Sequence, residues 1–387
     1  VYDNKAYGGA ACDGMAGAER DWCLEQFRYE RLTNLNNGYG GTTVIAYEKP
    51  ADEDNWFNAA NYRVNLKTVN DGRSGGHKLA YAYPSSYSKR CYDSNGTYGC
   101  DSISDPGGSL VGYDSVTETL KTISGANVAI ISHEFKLNTE ATATRDLGRE
   151  WKTRYQKPDG TNQRYLQTTW YVDNTLSSPT RYFVYAQLVH EWFPSDTGAL
   201  TTHPQKVTEY AYETDRQGNG QYGNLTKTSE YQGDGSQAAT LYRRAYNNYY
   251  PNTASDKWIV DKLALTNITD QNDTSQTKTK YTYDDTARSY TDPPLRGDVV
   301  KVEQTVTAPS TYITVQTITY NDSSYYYLPS TIKDGNNRQQ EIITYDAVWK
   351  MYPTQVTNDK GLPTTYAYDY IKGVVTQVTG PNGASTA

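Results

Sequence analysis

The sequence predicts an all-β fold, an array of short β-hairpins. Three observations carry that expectation. Thr, Tyr and Val alternate in short runs bounded by Gly, Asn, Asp and Pro, the pattern of half-buried strands and their turns. A helical period is not sustained behind any N-cap, and only residues 14–32 compete as a helix. Short units also repeat along the second half of the chain, as the signature of an array requires.

The composition fits such an array. The chain has 387 residues, 38 of them tyrosine, while Leu, Ile, Val and Phe together make up about 15%. So few aliphatics would point to disorder if net charge were high, but the charge is only −7 and seven Trp join the tyrosines. Tyr lines a core with its ring and seeks a partner for its hydroxyl. The longest apolar run, Val128-Ala129-Ile130-Ile131, reads as a strand and is far shorter than a membrane helix. A pI near 5.3 without Lys/Arg blocks argues against a nucleic-acid partner. Val1 reads as the start of a processed chain or a fragment.

In chain order, residues 1–30 form an N-terminal segment holding Cys12 and Cys23. Cys91 and Cys100 bracket a stretch with an Asn95-Gly96 turn signal. Neither pair has metal-ligand spacing. Two local disulfides are the expected reading, each worth about 2–3 kcal/mol and implying a secreted or surface location; the alternative is four unpaired thiols. Residues 31–200 read as a β-rich region with insertions, in which Asn37-Gly38-Tyr39-Gly40-Gly41 turns one strand into Thr42–Tyr47.

Residues 201–387 carry the repeats. Ile318-Thr319-Tyr320-Asn321 recurs as Ile343-Thr344-Tyr345-Asp346 and as Tyr366-Ala367-Tyr368-Asp369. Between them, Leu328-Pro329-Ser330-Thr331 matches Tyr352-Pro353-Thr354-Gln355. Upstream, Tyr210-Ala211-Tyr212-Glu213 and Tyr281-Thr282-Tyr283-Asp284 begin similar units. In Tyr-x-Tyr-Asp both rings lie on one face of a strand, and the Asp opens a turn whose backbone its carboxylate can bond.

Motifs with possible chemistry read as turns. Gly72-Arg73-Ser74-Gly75-Gly76 spells a nucleophile elbow but lacks the apolar strand before and the helix after. Gly218-Asn219-Gly220-Gln221-Tyr222-Gly223 spells a phosphate loop but leads into a strand, not a helix. His77, His133, His190 and His203 are scattered, and Arg296-Gly297-Asp298 falls where a repeat places its turn. A weak turn-bound calcium ion is conceivable at Asp93-Ser94-Asn95-Gly96 or Asp334-Gly335-Asn336-Asn337, though neither extends to a full loop of oxygen ligands. No other cofactor and no catalytic residue is expected. Tyr249-Tyr250 and Tyr325-Tyr326-Tyr327 place rings on both faces of a strand, so a carbohydrate-binding surface is an alternative. A glycoside hydrolase with two facing carboxylates is the least favoured.

The Tyr-Asp units, with their following Gly and Leu/Val-Thr-x-Val strands, resemble the YD repeats of the Rhs family, which includes bacterial Rhs proteins, toxin-complex shell components and teneurins. The resemblance is most specific over residues 201–383. It implies a coiled β-sheet strip, or part of a hollow shell enclosing a polypeptide, with Tyr210, Tyr212, Tyr281, Tyr283, Asp284, Tyr320, Tyr345, Asp346, Tyr366, Tyr368 and Asp369 as structural repeat residues. The expected partners are the remainder of a larger polypeptide, copies of the same chain, an enclosed polypeptide or surface glycans. The family's self-cleaving Asp-Pro segment has no counterpart in the right place: Asp105-Pro106 and Asp292-Pro293 stand in other contexts.

Overall fold

A computed structural model describes residues 2–3, 31–48, 63–73, 75–83, 88–90, 109–112, 115–136, 148–173, 183–195, 197–213, 222–254, 256–307, 310–321 and 326–386. All regular structure among them is β, and every strand pair between named strands is antiparallel. Of the helix considered for 14–32, residues 14–30 lie outside the described residues and Arg31–Leu32 are strand; all four cysteines also lie outside them.

The chain divides into two compact units, residues 1–208 with 232–240 and residues 209–231 with 241–387. In the first, β1 (Tyr2–Asp3) pairs with β2 (Arg31–Leu32). The main ladder begins with β3 (Asn34–Asn36), β4 (Thr42–Glu48), β5 (Arg63–Asn70) and β6 (Gly76–Ala82). A separate ribbon of β7 (Ser88–Arg90) and β8 (Ser109–Gly112) interrupts it. The ladder resumes with β9 (Ser115–Thr122) beside β6, then β10 (Asn127–Phe135), β11 (Glu150–Gln156), β12 (Asn162–Asp173) and β13 (Phe183–Trp192). The boundary between units falls within β14 (Lys206–Tyr212).

The second unit continues with β15 (Leu225–Gln232), β16 (Thr240–Tyr249), β17 (Leu263–Asp270), β18 (Ser275–Tyr283), β19 (Val299–Thr307) and β20 (Thr311–Tyr320). The shorter repeats follow as β21 (Pro329–Asp334), β22 (Gln339–Tyr345), β23 (Pro353–Asn358), β24 (Pro363–Asp369), β25 (Val374–Thr379) and β26 (Ser385–Thr386). From β16 onward each strand pairs with the next in sequence. Tight turns, such as 271–274 and 335–338, alternate with longer loops, such as 284–298, and every pairing stays between neighbours in sequence.

Few side chains are fully buried. Tyr165 and Tyr185 are buried in the first unit, and Ala264, Tyr283 and Val300 in the second. Most other strand residues are half-buried. Tyrosine suits this intermediate environment, because its ring covers the sheet while its hydroxyl stays within reach of a partner.

One expectation is overturned. Tyr326 and Tyr327 are not strand residues: they sit in the loop between β20 and β21, with φ of 54° and 53°. That loop opens at Asn321, whose N–H donates to the Leu328 carbonyl at 2.9 Å, so Tyr326 and Tyr327 fall outside the ladder, while Tyr325 lies outside the described residues. Tyr249 ends β16 and Tyr250 lies beyond it.

Candidate functional site

The recurring structure is a corner where one hairpin ends and the next begins. At each corner a tyrosine at or next to the end of the closing strand turns its hydroxyl back to the opening strand. Tyr283 donates to the Leu263 carbonyl at 2.8 Å and Tyr320 to Val299 at 2.9 Å. Tyr345 donates to Pro329 at 2.8 Å, Tyr368 to Pro353 at 3.0 Å and Tyr249 to Leu225 at 3.1 Å. All five acceptors are the first residues of their strands.

The ladder explains the need for this latch. The main-chain pairing nearest this end is Leu265 with Lys280, Lys301 with Thr317, Thr331 with Ile342 and Gln355 with Thr365. In each case the first carbonyl lies two residues beyond that last pair. A backbone acceptor left without a partner in a half-buried place is costly, and the tyrosine hydroxyl supplies the donor. Pro329 and Pro353 suit the position, since proline has no N–H to lose but keeps its carbonyl.

A register shift accompanies every latch. It falls between Asn248 and Tyr249, Thr282 and Tyr283, Thr319 and Tyr320, Thr344 and Tyr345, and Ala367 and Tyr368. The extra residue stands second in the following strand, as Ala264, Val300, Ser330 and Thr354, or third, as Thr376. Bulges re-aim neighbouring side chains and leave one carbonyl without its ladder donor. Ser330 Oγ donates to the Thr319 carbonyl at 3.0 Å and Thr354 Oγ1 to that of Thr344 at 3.2 Å. Thr226 Oγ1 does the same for Ala211, before Tyr212, at 3.1 Å. Where the extra residue is apolar, as at Ala264 and Val300, it is buried instead.

The acidic residue after the latch holds the next loop. The Asp284 carboxylate accepts from the N–H groups of Leu295, Arg296, Gly297 and Asp298. Asp346 accepts from Trp349, Met351 and Tyr352, and Asp369 from Ile371 and Lys372. Glu213 takes the equivalent place, accepting from Tyr222 at 2.7 Å and Asn224 at 3.2 Å. Burial raises the carboxyl pKa of Asp284 and Asp346, but the converging N–H donors outweigh it and hold both below the usual range. For Tyr283, burial pushes the hydroxyl up to about 12. Burial likewise raises Tyr210, Tyr212, Tyr249, Tyr320, Tyr345 and Tyr368.

Tyr210 and Tyr212 lie in β14, Tyr281 in β18 and Tyr366 in β24, all half-buried. The first unit uses the same device more loosely. Tyr47 donates to the Leu32 carbonyl at 2.9 Å and Tyr83 to Val64 at 2.8 Å. Trp170 Nε1 plays the part toward Glu150, at 2.8 Å. The acceptors, the second-position hydroxyls and the indole latch escaped the sequence reading, although the matching Pro-Ser/Thr at 329–330 and 353–354 was a visible trace of them.

The opposite rim is made of turns closed by Asp or Asn. The Asp334 carboxylate accepts from the N–H groups of Asn336 at 2.9 Å and Arg338 at 2.8 Å, and from Gln340 at 3.1 Å. Asp270 and Asn358 hold their turns in the same way. A turn with these bonds in three copies is structural, and among the described residues no group of three or more His, Cys, Asp or Glu is placed to hold a metal. The other calcium candidate, at 93–96, lies outside the described residues. Asp71 closes the glycine turn at 71–75 through Arg73 and Gly75. In Arg296-Gly297-Asp298 the two charged side chains bond each other at 2.8 Å. No helix among the described residues is long and apolar enough to cross a membrane.

No protein-family model and no characterised protein's sequence matches the chain. Solved structures do. The crystal structure of TcdB2–TccC3 aligns over 94% of this chain and 24% of its own, at 10% identity and a TM-score of 0.53. The same complex without its hypervariable C-terminal region aligns at 11% identity and 0.53. The Photorhabdus luminescens Tc holotoxin pore aligns over 92% of this chain and 23% of its own, at 10% and 0.51. The chain thus spans about a quarter of the length of the chains it matches, and what it shares with them is the fold.

Proposed function

We propose that this chain is a non-enzymatic structural segment of an extracellular Rhs/YD-repeat protein, forming part of the wall of a β-sheet shell or surface scaffold. The observation that carries the reading is the corner, repeated from Tyr249 to Asp369, which joins each hairpin to the next by side chains of the repeat itself. Such a unit extends a sheet by any number of hairpins, as a wall requires. The fold likeness to TcdB2–TccC3 supports the same reading. The carboxylates of Asp284 and Asp346 are engaged by main-chain N–H groups, which suits a mechanical role better than acid–base chemistry. The partners would be the remainder of a longer polypeptide and any chain enclosed by it, outside the cell.

Electron microscopy of the full-length native protein tests this. Hollow particles or tubes, with a wall one sheet thick, are expected. Solid, compact particles would remove the shell and scaffold readings together.

A further inference from the structure

Two consecutive corners of the second unit meet through tyrosine rings. Tyr352 closes the loop between β22 and β23, and Tyr370 stands in the loop between β24 and β25. Their ring centroids are 5.2 Å apart with the planes at 68°, so the edge of one ring meets the face of the other. Tyr368 completes the group, 5.0 Å from Tyr352 and 6.0 Å from Tyr370. The Tyr352 hydroxyl reaches as far as Gly373, where a Cβ would touch it at 3.6 Å. Tyr370 is 40% exposed and Tyr352 half-buried. Ring packing by itself stabilises a fold, but phenols in contact, one of them open to solvent, also share a chemistry.

We propose that Tyr352 and Tyr370 are a site of oxidative cross-linking, where a haem peroxidase with hydrogen peroxide joins them as dityrosine. Each phenol gives one electron to the oxidised enzyme and its proton to water. The two phenoxyl radicals join through the ring carbons ortho to their oxygens. The hydrogens on those carbons then pass to the oxygens, which restores both phenols. In sum, two tyrosines and one peroxide give one dityrosine and two waters. Rings already in contact within one chain need no encounter between chains, so the coupling is effectively unimolecular. Freedom to close selects this pair from the three rings. Tyr368 lies in β24 and donates its hydroxyl to the Pro353 carbonyl at 3.0 Å, so its ring is fixed. Tyr352 and Tyr370 lie outside the strands, and their edges come together without disturbing the ladder. Other tyrosine pairs are worse placed. Tyr171 and Tyr185 are 5.3 Å apart, but they face each other in paired strands and Tyr185 is buried. Tyr250 and Tyr290 are 6.4 Å apart. The link ties one corner to the next across the β23–β24 hairpin, a covalent constraint added to the latches. It depends on the corners alone, whatever the wall encloses.

The test treats the intact chain, at high dilution, with a plant haem peroxidase and hydrogen peroxide, followed by dityrosine fluorescence and mass spectrometry of a proteolytic digest. A fluorescent monomer is expected, yielding a linked pair of peptides that contains Tyr352 and Tyr370 and is lighter than their sum by two hydrogens. Tyr352→Phe and Tyr370→Phe each keep the ring but remove the phenol, and each should abolish this peptide pair with unchanged circular dichroism. Tyr242→Phe, at an exposed tyrosine elsewhere, should leave its yield unchanged. Absence of the linked pair from the oxidised native chain would overturn the proposal, as would coupling between molecules only. A link to Tyr368 in place of Tyr370 would overturn it equally.

Discussion

At the scale of single residues, the tyrosine hydroxyl does what no apolar ring could, because it hands a hydrogen-bond donor to a strand's first carbonyl. Tyr283→Phe keeps the ring and removes the donor, leaving the Leu263 carbonyl unpaired in the most buried of the corners. A loss of about 1–2 kcal/mol is expected, read as a lower denaturant midpoint. Alkali should act on the same bonds. The folded Tyr283 hydroxyl titrates near 12, above the ordinary value near 10. Its contribution is therefore complete below pH 10 and is lost as pH rises through about 12. Absorbance at 295 nm should show a late class of tyrosines ionising together with unfolding. The aspartates act at the other end of the scale. Asp284 and Asp346 lie below the usual carboxylate range when folded, so their contribution is present above about pH 4 and is lost as pH falls below it.

At the scale of the hairpin, one corner performs two tasks with adjacent residues, the tyrosine latching backward and the aspartate capping forward. Asp346→Ala removes three donor contacts at once from a short loop. It should cost about 2 kcal/mol and raise hydrogen exchange across 346–352 with little effect on β19 or β20. The polar turns are equally constrained: a Cβ on Gly335 would stand 2.2 Å from the Thr314 carbonyl oxygen. Gly335→Ala should destabilise by about 1–3 kcal/mol, seen as a lower melting temperature. The sequence made the repeat and its period legible, since Tyr and Asp recur at fixed places within each unit. It hid the latch's acceptor, because Leu263, Val299 and Pro329 accept through the backbone carbonyl that every residue carries, and only their place at a strand's start sets them apart. The run ending in Tyr326 and Tyr327 misled for a related reason. Aromatic residues favour strands, but Asn321 had already opened the loop.

At the scale of the molecule, the second unit is a series of similar modules, each bonded chiefly to its neighbours. Stability in such arrays is close to a sum over modules, so unfolding is expected to spread from the weaker end. Most of β25 is exposed, and β26 is two residues long; their amide protons should exchange first and those of β17–β20 last. If the corners hold the array together, hydroxyls at the latches must matter more than the same hydroxyls elsewhere. Two triple variants decide this, with Phe replacing Tyr320, Tyr345 and Tyr368 in one and Tyr242, Tyr281 and Tyr366 in the other. Equilibrium denaturation should show the latch variant destabilised by about 3 kcal/mol, near one per bond, and the other nearly unchanged. Equal midpoints for the two would contradict the account.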